Sequence, residues 1–229
     1  MAPKTRAFTS EKLAEELLAS AGVYEENFGD AFADAMEAVV GLGIVTRILR
    51  EADSGDQETL GPNLLNLVEQ VSVDTSEMLA VQQAAMTSAG EVTSLSLGFE
   101  LGFDIINPRA IQAAQTIGSY LVRYVNASVR ENIRAIIAEQ VAGRIGRAEA
   151  RRLIRQRVGL LPQHLSAVQR YESTLVQAGT VPAQVQKLVD AYSERLLRYR
   201  ADMISRTEVA RATSVGQHEF WEQALDAQL

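Results

Sequence analysis

Downstream of Pro182 the apolar residues return in steps of three and four: Val185, Leu188, Val189, Tyr192, Leu196, Tyr199, Met203 and Ile204. This spacing puts them on one face of a long helix, and such a helix is stable only when that face is covered along its length. A second pattern opens at Asn107-Pro108, with Asn as the cap and Pro at the first helical position. Its stripe is Ile111, Ile117, Leu121, Tyr124, Val125, Val129, Ile133, Ile136 and Ile137, and it ends near Ala142 with Gly143 as its C-cap. About 35 residues at 1.5 Å each span roughly 50 Å. The two patterns predict helices that pack antiparallel, and with them an all-α fold, an elongated bundle of long antiparallel helices. Aromatic residues make up only 6% of the chain, and the abundant Ala, Leu, Gln, Glu and Arg favour helix over sheet.

The rest of the chain reads as shorter helices. Residues 1–9 show no periodicity and are predicted to be a mobile tail. A helix capped at Thr9 or Ser10 runs to Ser20, with Gly22 as its stop. Another runs from Glu25 to Glu51 on Phe28, Phe32, Met36, Val39, Val40, Ile44 and Ile48, interrupted by Gly41 and Gly43. No strand precedes these glycines, so a kink or close packing is expected there rather than a nucleotide loop. Asp53 to Pro62 reads as a loop without the spacing of a calcium site. Helices are expected over Asn63–Val71 and Asp74–Ser88, and an extended segment or small hairpin between Gly90 and Ile106. Between the two long helices, Ala148–Val158 and Pro162–Ala178 are helical, closed by Gly159 and Gly179.

Charge divides the chain unevenly. Residues 1–100 carry 5 Lys/Arg against 17 Asp/Glu, whereas residues 101–229 carry 17 against 12, for a net charge of −7 overall. This asymmetry predicts a smaller acidic helical region over 1–95 and a helical module over 96–229, facing different partners or each other.

Several chemistries are excluded or disfavoured. There is no cysteine, so disulfides and thiolate metal sites are out. Two histidines, His164 and His218, are too few for a structural zinc site, and His218 with Glu222 makes only half of one. No metal or cofactor is expected. Neither a nucleophile elbow, a phosphate loop nor a metalloprotease helix is present, so no catalytic residues are assigned and the chain is not expected to be an enzyme. No signal peptide is visible, and the longest apolar run, Ala38–Val45, falls far short of the ~20 residues of a membrane span. The expectation is a soluble protein without membrane partners.

Two segments carry more specific signals. Within the Pro182 helix, Asp202 and Arg206 stand at i,i+4 and Glu208 and Arg211 at i,i+3, spacings that allow ion pairs along a helix. The segment Arg200-Ala-Asp-Met-Ile-Ser-Arg-Thr-Glu-Val-Ala-Arg-Ala resembles the R-A-x-x-I-A-R-T-E-x-x-R-A helix of phage minor head proteins typified by protein F of phage Mu. In that family a Trp follows about ten residues later, where this chain has Trp221. Gly159-Leu-Leu-Pro162 through Gly179 is similar to a helix of the actinobacteriophage members, and Asn107-Pro108-Arg109-Ala110 also fits. The resemblance covers roughly residues 100–225 and none of residues 1–95. It implies a head-morphogenesis module of a minor capsid protein, present in several copies per virion, assembled in the host cytoplasm and held with the portal and other head proteins inside the capsid. It also makes Arg206, Thr207, Glu208, Arg211 and Trp221 the structural motif. A partly buried Arg206–Glu208 pair is expected to fix the register of neighbouring helices, with Thr207 and Trp221 packed beside it. In many relatives the Trp is followed by a strand-containing module with Cys-Pro-x-Cys; these 229 residues hold no cysteine, either because this member lacks that module or because the sequence stops short of it, and no metal function is carried over.

The other segment is the arginine cluster Arg147, Arg151, Arg152, Arg155 and Arg157. Such a cluster can neutralise the backbone of packaged double-stranded DNA or dock an acidic protein partner. The alternative to the head-protein reading is accordingly a scaffold-like or non-specific DNA-binding helical protein.

Overall fold

Prolines set the helix starts. The computed structural model describes residues 10–53, 61–98, 103–104 and 107–227. Among these the chain is all-α, with eight α-helices and no strand. They are α1 (Ser10–Ala38), followed by a 3₁₀ turn at Val39–Gly41, α2 (Gly43–Asp53), α3 (Pro62–Glu69), α4 (Ser76–Leu97), α5 (Pro108–Val141), α6 (Arg147–Arg157), α7 (Pro162–Gln177) and α8 (Pro182–Asp226). Four of the five prolines therefore open helices, at the position where a missing N–H leaves no bond unmade. Asn107 caps α5 by accepting from the N–H of Arg109 at 2.9 Å. Gly143 and Gly179, at φ +69° and +74°, turn the chain left-handed just past α5 and α7, as expected of C-caps.

Two expectations are corrected. Gly22 does not stop the first helix: α1 runs unbroken through Gly22 and Gly29 to Ala38, and the break falls at Val39–Gly41, with Leu42 extended at ψ 130°. A mid-helix glycine costs only about 1 kcal/mol, less than is gained by burying Leu17, Phe28, Phe32 and Met36 along α1. Likewise Gly90–Leu97 is not extended; it is the last part of α4, which ends at Gly98 in the left-handed region. Helix continues through Gly90 because the Phe103 ring lies against its bare backbone, within 2.4 Å of where a Cβ would stand. The predicted tail at 1–9, most of the Asp53–Pro62 loop and the remainder of the 90–106 segment lie outside the described residues, apart from Phe103 and Asp104.

The chain forms two compact units. The first comprises 1–31, 76–121 and 202–229, the second 32–75 and 122–201. This division is not the boundary at residue 95 suggested by charge, because α1, α5 and α8 each contribute to both units. By unit, the first carries 6 Lys/Arg against 15 Asp/Glu and the second 16 against 14.

In the first unit α1 and α4 run antiparallel, joined by Ser20–Ser88 at 2.7 Å and by Ser96 donating to Glu16 at 2.6 Å. α4 and the C-terminal part of α8 run parallel. Gln82 meets Glu208, and farther along both helices Met86 meets Gly216. Arg109, in the first turn of α5, pairs with Glu222 and Asp226 of α8, each at 3.0 Å. Gly216 is indispensable to this packing: a Cβ there would stand 2.1 Å from the Met86 carbonyl oxygen.

In the second unit α5 buries the row Val125, Val129, Ile133, Ile136 and Ile137. Gln140 donates to the Leu49 carbonyl of α2 at 3.0 Å, and Asn126 accepts the Val73 N–H at 2.7 Å. α7 and α8 form an antiparallel hairpin over a core of Leu160, Val168, Val185 and Val189, with the Tyr171 and Tyr192 rings 4.9 Å apart.

The two kinds of glycine predict opposite responses. Gly216→Ala forces backbone apart and is expected to lower stability by about 1–3 kcal/mol. Gly22→Ala meets nothing within 4 Å and is expected to raise it by about 0.5–1 kcal/mol. Urea unfolding of both variants checks the pair.

Candidate functional site

α8 turns about 100° per residue, so Arg206 and Glu208, two positions apart, face different directions. Glu208 is buried and Arg206 is exposed, and no ion pair joins them. The expected Arg206–Glu208 pair is thereby corrected. Glu208 is bonded instead by Gln82 of α4, whose Nε2 donates to Oε2 at 2.9 Å, and by Arg211, one turn on, whose Nη1 donates to both carboxylate oxygens at 2.8 and 3.0 Å. Thr207 is exposed and returns its hydroxyl to the Met203 carbonyl at 2.9 Å. Trp221 is 44% exposed and meets the buried Phe220 edge-on at 5.6 Å. Of the five motif residues, the structure brings Glu208 and Arg211 together and leaves Arg206, Thr207 and Trp221 apart from them.

The motif's first residue plays a larger part than its spacing suggested. Arg200 is only 2% exposed, in the second unit. Its guanidinium donates to the Gly159 carbonyl and, at 3.1 Å, to Ser128 Oγ of α5. It lies 5.5 Å from the centre of the Phe32 ring and 5.6 Å from that of Tyr124, within cation–π range of both. Burial pushes its pKa down, and Tyr124 opposes this. Among the described residues no carboxylate pairs with it. What faces it is the C-terminal end of α6, where helix carbonyls have no intrahelical partner and carry partial negative charge. Asn132 of α5 completes the arrangement, its Nδ2 reaching the carbonyls of Arg157, Val158 and Leu160 at 2.9, 3.0 and 2.7 Å. One amide and one guanidinium thus gather four carbonyls of the α6–α7 turn, of which that of Arg157 also accepts the Leu160 N–H at 2.9 Å. Gly159 fits beneath them because a Cβ would strike Leu197 and Met36.

His164, in the first turn of α7, stands edge-on to Tyr199 at 6.0 Å. Its pKa is lowered by burial and then by the Arg200 charge, so the neutral ring is favoured. His218 is exposed, and Glu222 is taken up by Arg109. Among the described residues no group of three or more His, Asp or Glu is placed to hold a metal ion. No described helix is long and apolar enough to cross a membrane.

The arginine cluster divides. Arg147 pairs with Asp53 at 2.6 Å, Arg152 pairs with Glu149 and reaches Asp190 at 4.0 Å, and Arg157 meets Glu172 at 3.5 Å. Burial lowers the pKa of Arg157, and a hydrogen bond to Glu149 raises that of Arg152. Arg151 and Arg155, one turn apart on α6, are exposed. Three of the five arginines therefore join elements of the second unit, and two remain as an open basic pair.

Sequence reasoning missed Arg200, Asn132, Gln82 and Gly216. A usable signal for Arg200 was its register, since it stands in the row of Val185 and Val189. Comparison of the chain with protein-family profiles, with characterised proteins and with solved structures finds no match.

Two outcomes follow. Arg200→Met strips the Gly159 carbonyl of its guanidinium donor and is expected to cost about 2–4 kcal/mol in urea unfolding, whereas Arg206→Met changes stability by less than about 0.5 kcal/mol. His164 has its folded pKa below the ordinary 6.5, so the unfolded chain takes up a proton first as pH falls. Stability is thus complete above 6.5 and declines as pH falls below it. Thermal melts across that range are expected to show this slope, and His164→Gln to flatten it.

Proposed function

We propose that this chain is a structural, non-enzymatic component of a phage head, a minor capsid protein of the Mu F-like head-morphogenesis type. Its place would be with the portal and other head proteins in the capsid interior. The observation that carries the reading is the segment from Arg200 to Ala212 with Trp221 beyond it. The packing of α8 supports it. Arg200 and Glu208 are buried polar groups with specific partners, the kind of constraint that a recurring R-A…R-T-E…R-A pattern would preserve. A motif that serves folding in this way needs no catalytic residues, and none is assigned.

The DNA-binding alternative is weaker on the same geometry. Affinity for a phosphate backbone scales with the number of cations free to release counterions. Arg147, Arg152 and Arg157 are already engaged with carboxylates, leaving Arg151 and Arg155 of that cluster.

Co-expression with the portal protein from the same genome, followed by affinity capture at low and high salt, tests the reading. Association retained through high salt is expected of a packed head-protein interface. Loss at modest salt would favour the electrostatic, DNA-directed alternative. Absence of association at any salt overturns the portal assignment.

A further inference from the structure

Two surfaces of opposite charge are left open by the interactions above. On α1, Glu11, Glu15 and Glu26 are exposed and bonded to no cation among the described residues. Lys12, the one cation of α1, is already bridged to Glu16 at 3.6 Å. Between these acids stand Leu18 and Val23, 73% and 61% exposed. Steps of three and four align Glu11, Glu15, Leu18 and Glu26 along one stripe. The stripe therefore combines negative charge with bare aliphatic surface.

The α7–α8 hairpin shows the complementary combination. Arg170, Lys187, Arg195 and Arg198 are exposed, and none is paired with a carboxylate among the described residues. The hairpin acids Glu172 and Asp190 are engaged by Arg157 and Gln186, which leaves Glu194. Val176 and Val181, 62% and 64% exposed, flank the turn. Tyr171 and Tyr192 are half-buried, and the Arg195 guanidinium sits 5.0 Å over the Tyr192 ring. Arg and Tyr beside small aliphatic residues make a surface suited to a protein partner. A phosphate backbone would leave the valines and tyrosines without an apolar counterpart.

We infer that the acidic stripe of α1 in one copy docks on the α7–α8 hairpin of a second copy. The two surfaces match in charge and in exposed aliphatic content. The net charge of −7 sets copies repelling at long range, but that repulsion is screened beyond about 8 Å at physiological salt, whereas ion pairs in contact are screened much less. Because the two surfaces differ, the contact is heterologous, and repetition gives a ring if the rotation closes or an open chain if it does not.

Sedimentation velocity of the full chain, over a range of concentrations at low and high salt, tests the inference. Two variants accompany it: Glu11→Lys/Glu15→Lys/Glu26→Lys on α1 and Arg170→Glu/Lys187→Glu/Arg195→Glu on the hairpin. All six positions are exposed and outside the buried contacts, and circular dichroism verifies that both variants fold. The native chain is expected to associate with rising concentration, at least about tenfold more weakly at high salt. Each variant alone is expected to sediment as a monomer. Mixing the two is expected to restore assembly, because the basic hairpin of the first then meets the acidic α1 of the second, and the reverse. A native chain that stays monomeric throughout overturns the inference, as does assembly that either variant retains alone.

Discussion

Arg200 carries a full charge at a place where water cannot reach it, and the second unit is arranged to make that tolerable. An isolated buried cation is strongly disfavoured, so something must supply negative potential and accept its hydrogen bonds. Here that is the end of a helix rather than an acid. The carbonyls at the C-terminus of α6 need donors, and the guanidinium and Asn132 supply them. The constraint is mutual. Without Arg200 and Asn132 the turn from α6 into α7 would bury unsatisfied carbonyls, and without that turn Arg200 would be a charge among aromatic rings. Positions nearby follow from it: Gly159 under the clamp, Phe32 and Tyr124 against the guanidinium, and His164 held toward its neutral form.

The first unit solves a different problem by a related device. α4 and α8 approach until the backbone of one touches the other at Gly216, leaving no room for a side chain at that point. Small residues meet there, Ala89 and Gly216. Apolar burial from such residues is modest, so specificity falls to Glu208, which takes its bonds from Gln82 across the seam and Arg211 along the helix. A buried acid bonded in this way need not add net stability, yet its partners exist at only one register.

These observations bear on function through the helix that supplies both groups. α8 provides a buried cation, Arg200, to one unit and a buried acid, Glu208, to the other. The remaining charge is spent differently. Most of the α6 arginines tie elements of the second unit together, while Arg170, Lys187, Arg195 and Arg198 of α7 and α8 and Glu11, Glu15 and Glu26 of α1 are exposed.

By itself the sequence determined the helices of the C-terminal half: proline and asparagine starts, glycine stops and apolar steps of three and four are local chemistry, and they place α5, α6 and α7 and the start of α8 to within a residue or two. It also allowed ion pairs at Asp202–Arg206 and Glu208–Arg211, of which only the second forms, so spacing permits a pair without deciding it. Only the tertiary structure decided which face of α8 is inside. The apolar count pointed to Tyr199 and Met203, which are exposed, while Ser193, Arg200, Ser205 and Glu208 are buried. The reason is physical: a polar residue is tolerated inside only when a partner from a distant segment meets it, and Gly159, Ser128 and Gln82 are brought there by folding. The same holds for Gly22, Gly90 and Gly216, identical in sequence, of which the first lies in open space and the other two against a neighbouring ring and a neighbouring backbone.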